Sequence, residues 1–420
     1  MPKKTKTVTI RQPAYYKEFS CIGPACTDNC CHDWMVTIDK KHYLQYMGVA
    51  DHAFHEKCKK AILRNKKCKG TGDYAVMQLD SGRCIFQDPD GGCGIFRKLG
   101  EDALSDTCTI YPRRQVRMDE DHWERSLSLS CQEAARLALL TGKPLEFEEI
   151  TYAIDSNDRL ASSPGKLSWA KDAPHREELL AVRETCLEII GQHHRPLTER
   201  ILAIGLALRT VERYAQEGNY ARISLLLKEY TAQSASGTLL QGFFERLPED
   251  PATVRWAMLL PAKHLMSTER KLERLEMFET VGPYCEMEED KKAAVGPKAL
   301  DFITERAREI GDPFISRHAQ AVENYFSNYI FSMFFPFTYQ KDGCTLSYHA
   351  VMLAEQYAML RILLGVMPQR EGEDEEQRLI RLVAILAHIT QHRNLGLDVQ
   401  NFAKQRENLD TLAYTAYMLR

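Results

Sequence analysis

The 420-residue sequence lacks a long apolar run. Its most apolar stretch, residues 329–337, contains Ser332 and Pro336 and is well short of the roughly 20 residues that a membrane-spanning helix needs. The basic N-terminus is followed by a mixed polar stretch at residues 8–12 and not by the apolar core of a secretory signal. We therefore expect a cytoplasmic protein that is neither exported nor inserted into a membrane.

Net positive charge and a nucleotide-binding loop are also missing. The 55 Lys and Arg residues are outnumbered by 58 Asp and Glu residues, which gives a net charge of -3 and argues against a nucleic-acid partner. A doubly wound nucleotide-binding fold would show a glycine-rich turn between a strand and a helix. Gly70 and Gly72 follow a lysine-rich stretch without a preceding strand, and Gly92 and Gly94 flank a cysteine. Neither pair predicts that fold.

Cysteine, in contrast, is abundant and concentrated. Ten of the 13 cysteines lie between Cys21 and Cys131, and four of them fall within residues 21–31. The Gly, Pro, Asp and Asn residues between these four favour tight turns that direct side chains toward a common centre. Under the reducing conditions of the cytosol, such a cluster is more often a metal site than a set of disulfides. The sequence therefore predicts a metal centre built from thiolates.

The cluster contains more candidate ligands than one metal centre uses. Zinc and iron-sulfur clusters both take four cysteine ligands, and spacing alone does not separate them. Adjacent side chains in extended backbone point in divergent directions, so we expect only one of Cys30 and Cys31 to bind a given centre. Either some of these cysteines lie around the metal ligands without binding the metal, or a second metal site exists. The candidate metal ligands are Cys21, Cys26, Cys30, Cys31, Cys84, Cys93, Cys108 and Cys131.

Two pairs of cysteines lie in contrasting local surroundings. Cys84 and Cys93 are each followed by a short apolar-aromatic segment, and the turn residues 88–92 separate them. This pattern predicts two short strands joined by a hairpin-like loop. Cys58 and Cys68 lie in a lysine-rich segment without turn residues, and we expect both to be incidental thiols on a solvated helix.

The last cysteine of the group precedes a predicted helix. Ser130 and Glu133 form a capping-box pattern in front of the apolar segment 134–140. Cys131 would then lie in the first helical turn, where the positive end of the helix dipole favours the thiolate.

Beyond the cysteines the hydrophobic periodicity becomes helical. Leu353, Tyr357, Leu360 and Leu364 recur at the spacing of one helix face. A shift toward Asn, Asp, Ser, Pro and Gly precedes this part and marks the expected boundary. We predict a mainly α protein with a small α+β cysteine-rich N-terminal domain and a helical C-terminal bundle. The expected domains are the cysteine-rich metal or iron-sulfur domain at residues 1–150, a linker at 151–177 and the helical domain at 178–420.

The cysteine motifs form a recognisable series. They read Cys21-x4-Cys26-x3-Cys30-Cys31, Cys84-Ile-Phe, Cys93-Gly-Ile-Phe, Leu-Ser-Asp-Thr-Cys108-x2-Tyr-Pro-Arg and Leu-Ser-Cys131-x-Glu-Ala-Ala-Arg. This series resembles the flagellin lysine-N-methylase family and, more loosely, the zinc- or iron-chelating proteins with a CxxCxxCC signature. Residues 198–202 and 323–331 resemble the helical part of that family, so the resemblance covers most of the chain. The spacings x4 and x3 depart from the x2 and x2 of the chelating signature.

The resemblance implies an activity that composition and spacing do not. It implies transfer of methyl groups from S-adenosylmethionine to lysines of flagellin, with flagellin as the protein substrate and a 4Fe-4S cluster held by the cysteines. Because no nucleotide-binding loop is present, the cofactor site would then lie at the cluster. The competing interpretation is a non-enzymatic zinc- or iron-binding interaction protein.

Lysine methylation also sets requirements on nearby side chains. The reaction needs a neutral amine and a place for a sulfonium cation, which favours aromatic rings and a carboxylate or phenol near the cysteines. Tyr111, Asp106 and Asp33 are the candidates for such a catalytic role. Packing is the more ordinary role for any one of the residues around the cysteines, because aromatic rings are buried more often than they take part in catalysis.

Overall fold

The computed structural model describes residues 6–27, 30–32, 35–68, 70–154, 159–162, 175–267, 271–287, 293–334, 345–392, 398 and 411–420. Most of these residues are helical, and short strands are concentrated in the N-terminal third. The predicted fold class, mainly α with a small α+β N-terminal part, is confirmed. None of the described helices is both long and apolar enough to cross a membrane. Asp33 lies outside the described residues.

The strands form one four-stranded sheet and several smaller ladders. The main sheet has the order β7-β8-β1-β9, in which β1 runs parallel to β8 and the other neighbours are antiparallel. The strands are β1 (Lys6–Pro13), β2 (Thr37–Ile38), β3 (Ile62–Arg64), β4 (Ala75–Met77), β5 (Leu79–Asp80), β6 (Arg83–Cys84), β7 (Arg113–Arg117), β8 (His122–Leu127), β9 (Phe147–Ile154), β10 (Glu286–Met287) and β11 (Ala293–Ala294).

The helices of the first 162 residues are short, and those that follow are mostly longer. The α-helices are α1 (Lys40–Met47), α2 (His52–Ala61), α3 (Gly94–Leu99), α4 (Asp106–Ile110), α5 (Gln132–Leu139), α6 (Arg159–Ser162), α7 (Arg176–Ile190), α8 (Leu197–Gln216), α9 (Ile223–Ser236), α10 (Phe243–Arg246), α11 (Pro251–Met266), α12 (Lys271–Val281), α13 (Pro297–Arg306), α14 (Asp312–Arg317), α15 (Ala319–Met333), α16 (Leu346–Val366), α17 (Glu375–His392) and α18 (Thr411–Leu419).

Two hydrophobic cores hold these elements together. The cysteine-region core consists of Val36, Ile38, Tyr46, Cys58, Ala61, Ile62, Ala75, Met77, Cys84, Phe86, Ile95 and Ala103. The main core extends from Tyr15 and Leu127 through α5 into α7 and the helices that follow it. It therefore joins residues on both sides of the segment 151–177, within which residues 155–158 and 163–174 lie outside the described part. The expected domain limits stay predictions.

Helix α16 lies at the centre of the main core. Every residue from Ala350 to Val366 is buried, so this helix is apolar on all sides and not on one face only. Two glycines allow its close packing. A Cβ atom at Gly365 would lie 2.7 Å from the carbonyl oxygen of Arg306, and one at Gly311 would lie 2.4 Å from that of Arg361. At these two glycines the backbone of α16 therefore contacts the backbone around residues 306–311 directly.

The predicted hairpin around Cys84 and Cys93 is wrong in its second half. Cys84 ends β6, but Cys93 makes only an isolated bridge to Gln87 and then caps α3. The carbonyl of Cys93 accepts a hydrogen bond from Arg97 N at 3.0 Å, which starts a helix in place of a strand ladder. Residues 94–96 are therefore helical.

The expectation for Cys58 is also wrong. Cys58 is fully buried in the cysteine-region core, because it occupies the inward face of α2 among lysines that point outward. Cys68 remains partly exposed in a turn, where its thiol lies 3.7 Å from the carbonyl oxygen of Gly70.

Candidate metal centre

The loop that carries the first cysteines is shaped by a short 3-10 turn, Gly23–Ala25. Gly23 has a φ of +53°, which a glycine adopts without strain, and its carbonyl accepts a hydrogen bond from Cys26 N at 3.0 Å. The Sγ atom of Cys21, whose residue is exposed, accepts one from Gly23 N at 3.4 Å. A Cβ atom at Gly91 would lie 3.7 Å from Pro24 Cα, so this loop packs against the turn before Cys93.

Residues 30–32 are attached to the strand that ends at Cys84. The carbonyl oxygen of Cys31 accepts a hydrogen bond from Cys84 N at 2.7 Å, and His32 forms a bridge with Arg83. These backbone contacts place the adjacent Cys30 and Cys31 beside β6. The thiol of Cys84 itself lies 3.0 Å from Met77 Sδ, within the cysteine-region core.

Helix α4 carries Cys108 and is fixed by a buried pair. Ser105 caps the helix by accepting a hydrogen bond from Cys108 N at 3.3 Å. Asp39 Oδ2 accepts one from Asp106 N at 3.1 Å and also contacts His42 Nδ1 at 2.6 Å. Among the described residues, Asp39, His42 and Asp106 are the group whose possible ligand atoms all lie within 4.8 Å of one another. Because both histidine nitrogens contact protein oxygens, this group positions α4.

Cys131 occupies the N-cap of α5 and not its first turn. Ser130, expected to cap the helix, instead contacts Ser128 Oγ at 2.7 Å and Tyr111 OH at 3.0 Å. Ser128 in turn donates to Gln391 Oε1 at 2.6 Å. A chain of hydroxyl groups therefore runs from Tyr111, beside α4, to helix α17.

Six of the eight candidate cysteines lie near enough to one another to affect their pKa values. Cys30, Cys84 and Cys93 raise the pKa of Cys108. Cys26 and Cys30 raise that of Cys131, and Cys93 raises that of Cys84. The structure thus brings together four sequence-distant pieces: the first loop, β6 with the start of α3, α4, and the start of α5. Cys31 is tied to this group through its backbone.

Burial dominates the protonation of two central thiols. Cys108 keeps an exposed edge, yet the protein packed around it raises the pKa of its thiol to about 12. Burial likewise raises the pKa of Cys131 to about 12, although backbone N–H groups at the start of α5 lower this pKa. The expected lowering by the helix dipole is therefore smaller than the cost of removing water. Without a cation, both residues are neutral thiols at pH 7.

The donor set suits a metal centre. Thiolates are the usual ligands of zinc and iron-sulfur clusters, and a bound cation would remove the penalty that burial places on the thiolate form. The described part of the chain contains no three cysteine sulfurs within 4.8 Å of one another. One tetrahedral zinc ion would hold its sulfurs about 3.8 Å apart, from a Zn–S distance of about 2.3 Å. The residue types of this donor set fit either group.

The two catalytic candidates that the structure describes differ in their surroundings. The carboxylate of Asp106 lies 3.9 Å from Arg159 Nε at the surface of α4. Tyr111 belongs to the hydroxyl chain that begins next to Cys131. Sequence reasoning missed Gln391 at the far end of this chain, because 263 residues separate it from Ser128 and no local pattern signals the contact.

The site and fold define a cysteine-rich region joined to a helical part, and sequence comparison assigns this arrangement to a family. Residues 183–418, more than half of the chain, match the model of the FliB lysine N-methylase C-terminal domain. The chain belongs to the FliB lysine N-methylase family. The resemblance predicted from the cysteine motifs is confirmed.

Individual relatives match over a shorter segment. The chain is 35% identical over 130 residues to the lysine-N-methylase of Salmonella choleraesuis (strain SC-B67) and 34% identical over 130 residues to that of Salmonella typhimurium. Each match covers 30% of this chain and 32% of the relative, so the matched segment spans about a third of those proteins. The flagellar biosynthetic protein FliU of Salmonella muenchen is 34% identical over 130 residues, which is 75% of its length. No solved structure matches the chain.

Proposed function

We propose that this protein is a lysine N-methyltransferase that transfers methyl groups from S-adenosylmethionine to flagellin in the bacterial cytoplasm. The observation that carries the proposal is the family match over residues 183–418. The gathered cysteines and the name of the relative FliU support the metal centre and the flagellar substrate, respectively.

We further propose that the cysteines hold a 4Fe-4S cluster. Cys30 interacts with both Cys108 and Cys131, and Cys131 also interacts with Cys26. These four are the best ligand set, because the thiol of Cys84 is turned toward Met77 in the core. When bound, such a cluster supplies an electron-transfer centre and iron atoms that a cofactor can approach. Cys21, Cys31 and Cys93 would surround it.

The chain's own residues would handle the substrate amine and its proton. Methylation forms an N–C bond, breaks the S–C bond of the sulfonium, leaves S-adenosylhomocysteine and releases one proton from the lysine nitrogen. Tyr111 is the better placed proton carrier, because its hydroxyl contacts Ser130 next to Cys131. Asp106 lies near Arg159, so its carboxylate has a cation close by.

Anaerobic purification followed by metal analysis tests the cluster. We expect brown protein containing iron and acid-labile sulfide in equal amounts, with a spectrum that shifts when S-adenosylmethionine is added. The variants C30S, C108S and C131S should lose the iron, whereas C186S, which changes a buried cysteine of α7, should keep it. Stoichiometric zinc without sulfide would instead support the non-enzymatic zinc-binding interpretation.

The methyl transfer needs a separate assay. The purified protein, flagellin and S-adenosylmethionine are incubated under reducing conditions, and intact flagellin is weighed by mass spectrometry. We expect the mass to rise by multiples of one methyl group, with the added groups on lysines. An unchanged flagellin mass with fully loaded enzyme would contradict the proposed substrate.

A further inference from the structure

One face of the main sheet packs on the helical part through charged side chains. Arg11 of β1 donates to both carboxylate oxygens of Glu184 at 2.8 and 3.0 Å. Glu124 of β8 accepts hydrogen bonds from Arg183 of α7 at 3.0 and 2.5 Å. Because Arg11 and Glu124 are paired in the ladder, both point to the same face. These two arginines of the interface are each neutralised by a carboxylate.

Arg114 of β7 shares this face but has no such partner. It pairs with Ser126 of β8, two residues along from Glu124, so its side chain points toward the same helices. Across the part of the chain that the structure describes, Arg114 makes neither a hydrogen bond nor an ion pair, and its electrostatic neighbour is Tyr329 of α15.

The surroundings make this lone cation costly. Arg114 is half-buried, and burial lowers its pKa, because the protein around it removes part of the water from the guanidinium without supplying a negative charge. A buried charge without a counter-charge destabilises a fold, whereas the same charge beside an anion does not. The protein therefore keeps an unneutralised donor group at a site where a neutral residue would be less costly.

Two further donors have no acceptor among the described residues. One belongs to Gln391, whose Oε1 accepts a hydrogen bond from the hydroxyl of Ser128, just beyond the end of β8. The amide nitrogen of Gln391 is buried and has no hydrogen-bond partner among the described residues. The amide nitrogen of Asn328, the residue before Tyr329, is in the same condition. A group that only accepts hydrogen bonds would satisfy such donors.

The position of these donors connects them with the candidate metal centre. Ser128 contacts Ser130, and Cys131 follows directly. Ser130 also contacts Tyr111, three residues after Cys108. The hydroxyl contacts therefore link Gln391 to residues that neighbour Cys131 and Cys108, two of the proposed cluster ligands.

We propose that Arg114, assisted by Gln391, binds the carboxylate of the methionine portion of S-adenosylmethionine. A carboxylate only accepts hydrogen bonds, and its two oxygens match the planar fork of a guanidinium. The single positive charge of the Arg114 guanidinium would also balance the single negative charge of the carboxylate. This inference rests on the proposed function, because it assumes that S-adenosylmethionine is the methyl donor.

Binding measurements on the metal-loaded protein test the inference without requiring turnover. Two probes are compared by calorimetry: S-adenosylhomocysteine, which carries the carboxylate, and 5′-methylthioadenosine, which lacks the amino acid portion. Loss of a charge-assisted hydrogen bond in R114Q should weaken S-adenosylhomocysteine about 10- to 100-fold, and R114K should recover part of the loss. The Q391L variant should weaken it less, about 3- to 10-fold. Binding of 5′-methylthioadenosine should stay within about twofold in all three variants.

The matched control is R113Q. Arg113 is the neighbouring residue on β7, so alternation along the strand directs its side chain away from that of Arg114, and its guanidinium lies 4.9 Å from the ring centroid of Phe19. This variant should bind both probes like the unchanged protein. Melting temperatures show whether the fold persists, and R114Q should melt no lower than the unchanged protein, because it removes an unneutralised cation.

The outcomes separate this inference from the proposed function. If the unchanged protein binds S-adenosylhomocysteine and R114Q binds it equally well, the role of Arg114 is wrong while the proposed function stands. Equal weakening of both probes in R114Q would also overturn that role, since the carboxylate would not be the group recognised. If the unchanged protein binds neither probe, both proposals fail.

Discussion

The cysteine region and the helical part are stabilised in different ways. The cysteine-region core gathers a small set of buried residues from strands of two or three residues and from short helices. The main core contains α16, whose residues from Ala350 to Val366 are all buried. Hydrophobic burial alone gives a small core little net stability, whereas a metal centre can supply the remainder. We therefore predict that the cysteine region depends on the proposed metal centre for its stability, whereas the helical part depends on packing.

Metal removal should produce the largest difference in stability between the cysteine region and the helical part. After chelation of the loaded protein, we expect amide hydrogen exchange at β2 and β4 to accelerate by at least about 10³-fold, because the bound metal contributes directly to folding there. Amides in the middle of α16 should change by less than about tenfold. Exchange read by mass spectrometry provides the measurement. Equal loss of protection in both places would contradict the comparison.

The reverse separation should follow from a change in the main core. The variant G365A places a methyl group against the backbone at Arg306, and we expect the free energy of unfolding to fall by about 2–3 kcal/mol. Iron content should not change. The control is G205A, whose methyl group would lie 3.4 Å from Ala350 Cβ, an ordinary contact. Chemical denaturation measures both, and equal effects would refute the packing argument.

The helical part should also be sensitive to acid. Burial lowers the pKa of His349 in α16 from 6.5 to about 4. Between pH 6.5 and pH 4 the unfolded chain binds a proton on this histidine and the folded chain does not. The free energy of unfolding therefore falls as the pH drops from 6.5 toward 4. From pH 7 to pH 5 we expect a loss of about 1–2 kcal/mol from this residue.

The test for His349 is the pH dependence of unfolding in H349Q. This variant should show a shallower fall in stability between pH 7 and pH 5 than the unchanged protein. An unaltered slope would show that His349 does not titrate on unfolding. The glutamine retains a polar side chain of similar length, so gross repacking is not expected.

The smallest expected effect concerns Asp39, which caps α1 and accepts a hydrogen bond from the first residue of the helix that carries Cys108. In D39A, α1 loses its N-cap acceptor and Asp106 N loses its partner, which should cost about 1–2 kcal/mol in the cysteine region. We expect faster loss of iron to a chelator. D51A removes the N-cap of α2, away from α4, and provides the control. Iron loss at the same rate in both variants would contradict a specific role for Asp39.

Local patterns predicted the elements whose residues act on near neighbours. The segment 134–140 is largely α5, and the spacing of Leu353 and Leu360 correctly indicated a helix. The residues that flank Cys93 favour a strand, but the turn before it redirects the backbone into α3. Tertiary contacts outweighed the local preference there.

The contacts that build the site were beyond the reach of sequence patterns. The motifs predicted a set of candidate metal ligands, because thiols between turn residues are typical of metal sites. They did not predict that Cys131 would cap α5, since Ser130 is the more usual capping residue and its hydroxyl is engaged elsewhere. Arg114 gave no signal at all, because an arginine in a strand is ordinary until its lack of a counter-charge is seen.

The position of β1 has a consequence for the order of folding. β1 lies between β8 and β9, so the N-terminal strand cannot find both neighbours until residue 154 has been synthesised. Residues 14–121 then form one long connection between two strands that are adjacent in the sheet. Pairing of β1 with β8 closes this connection into a loop, at an entropic cost that grows with its length. A metal that crosslinks the connection shortens the free chain and lowers this cost, so metal loading should accelerate the pairing of β1 with β8.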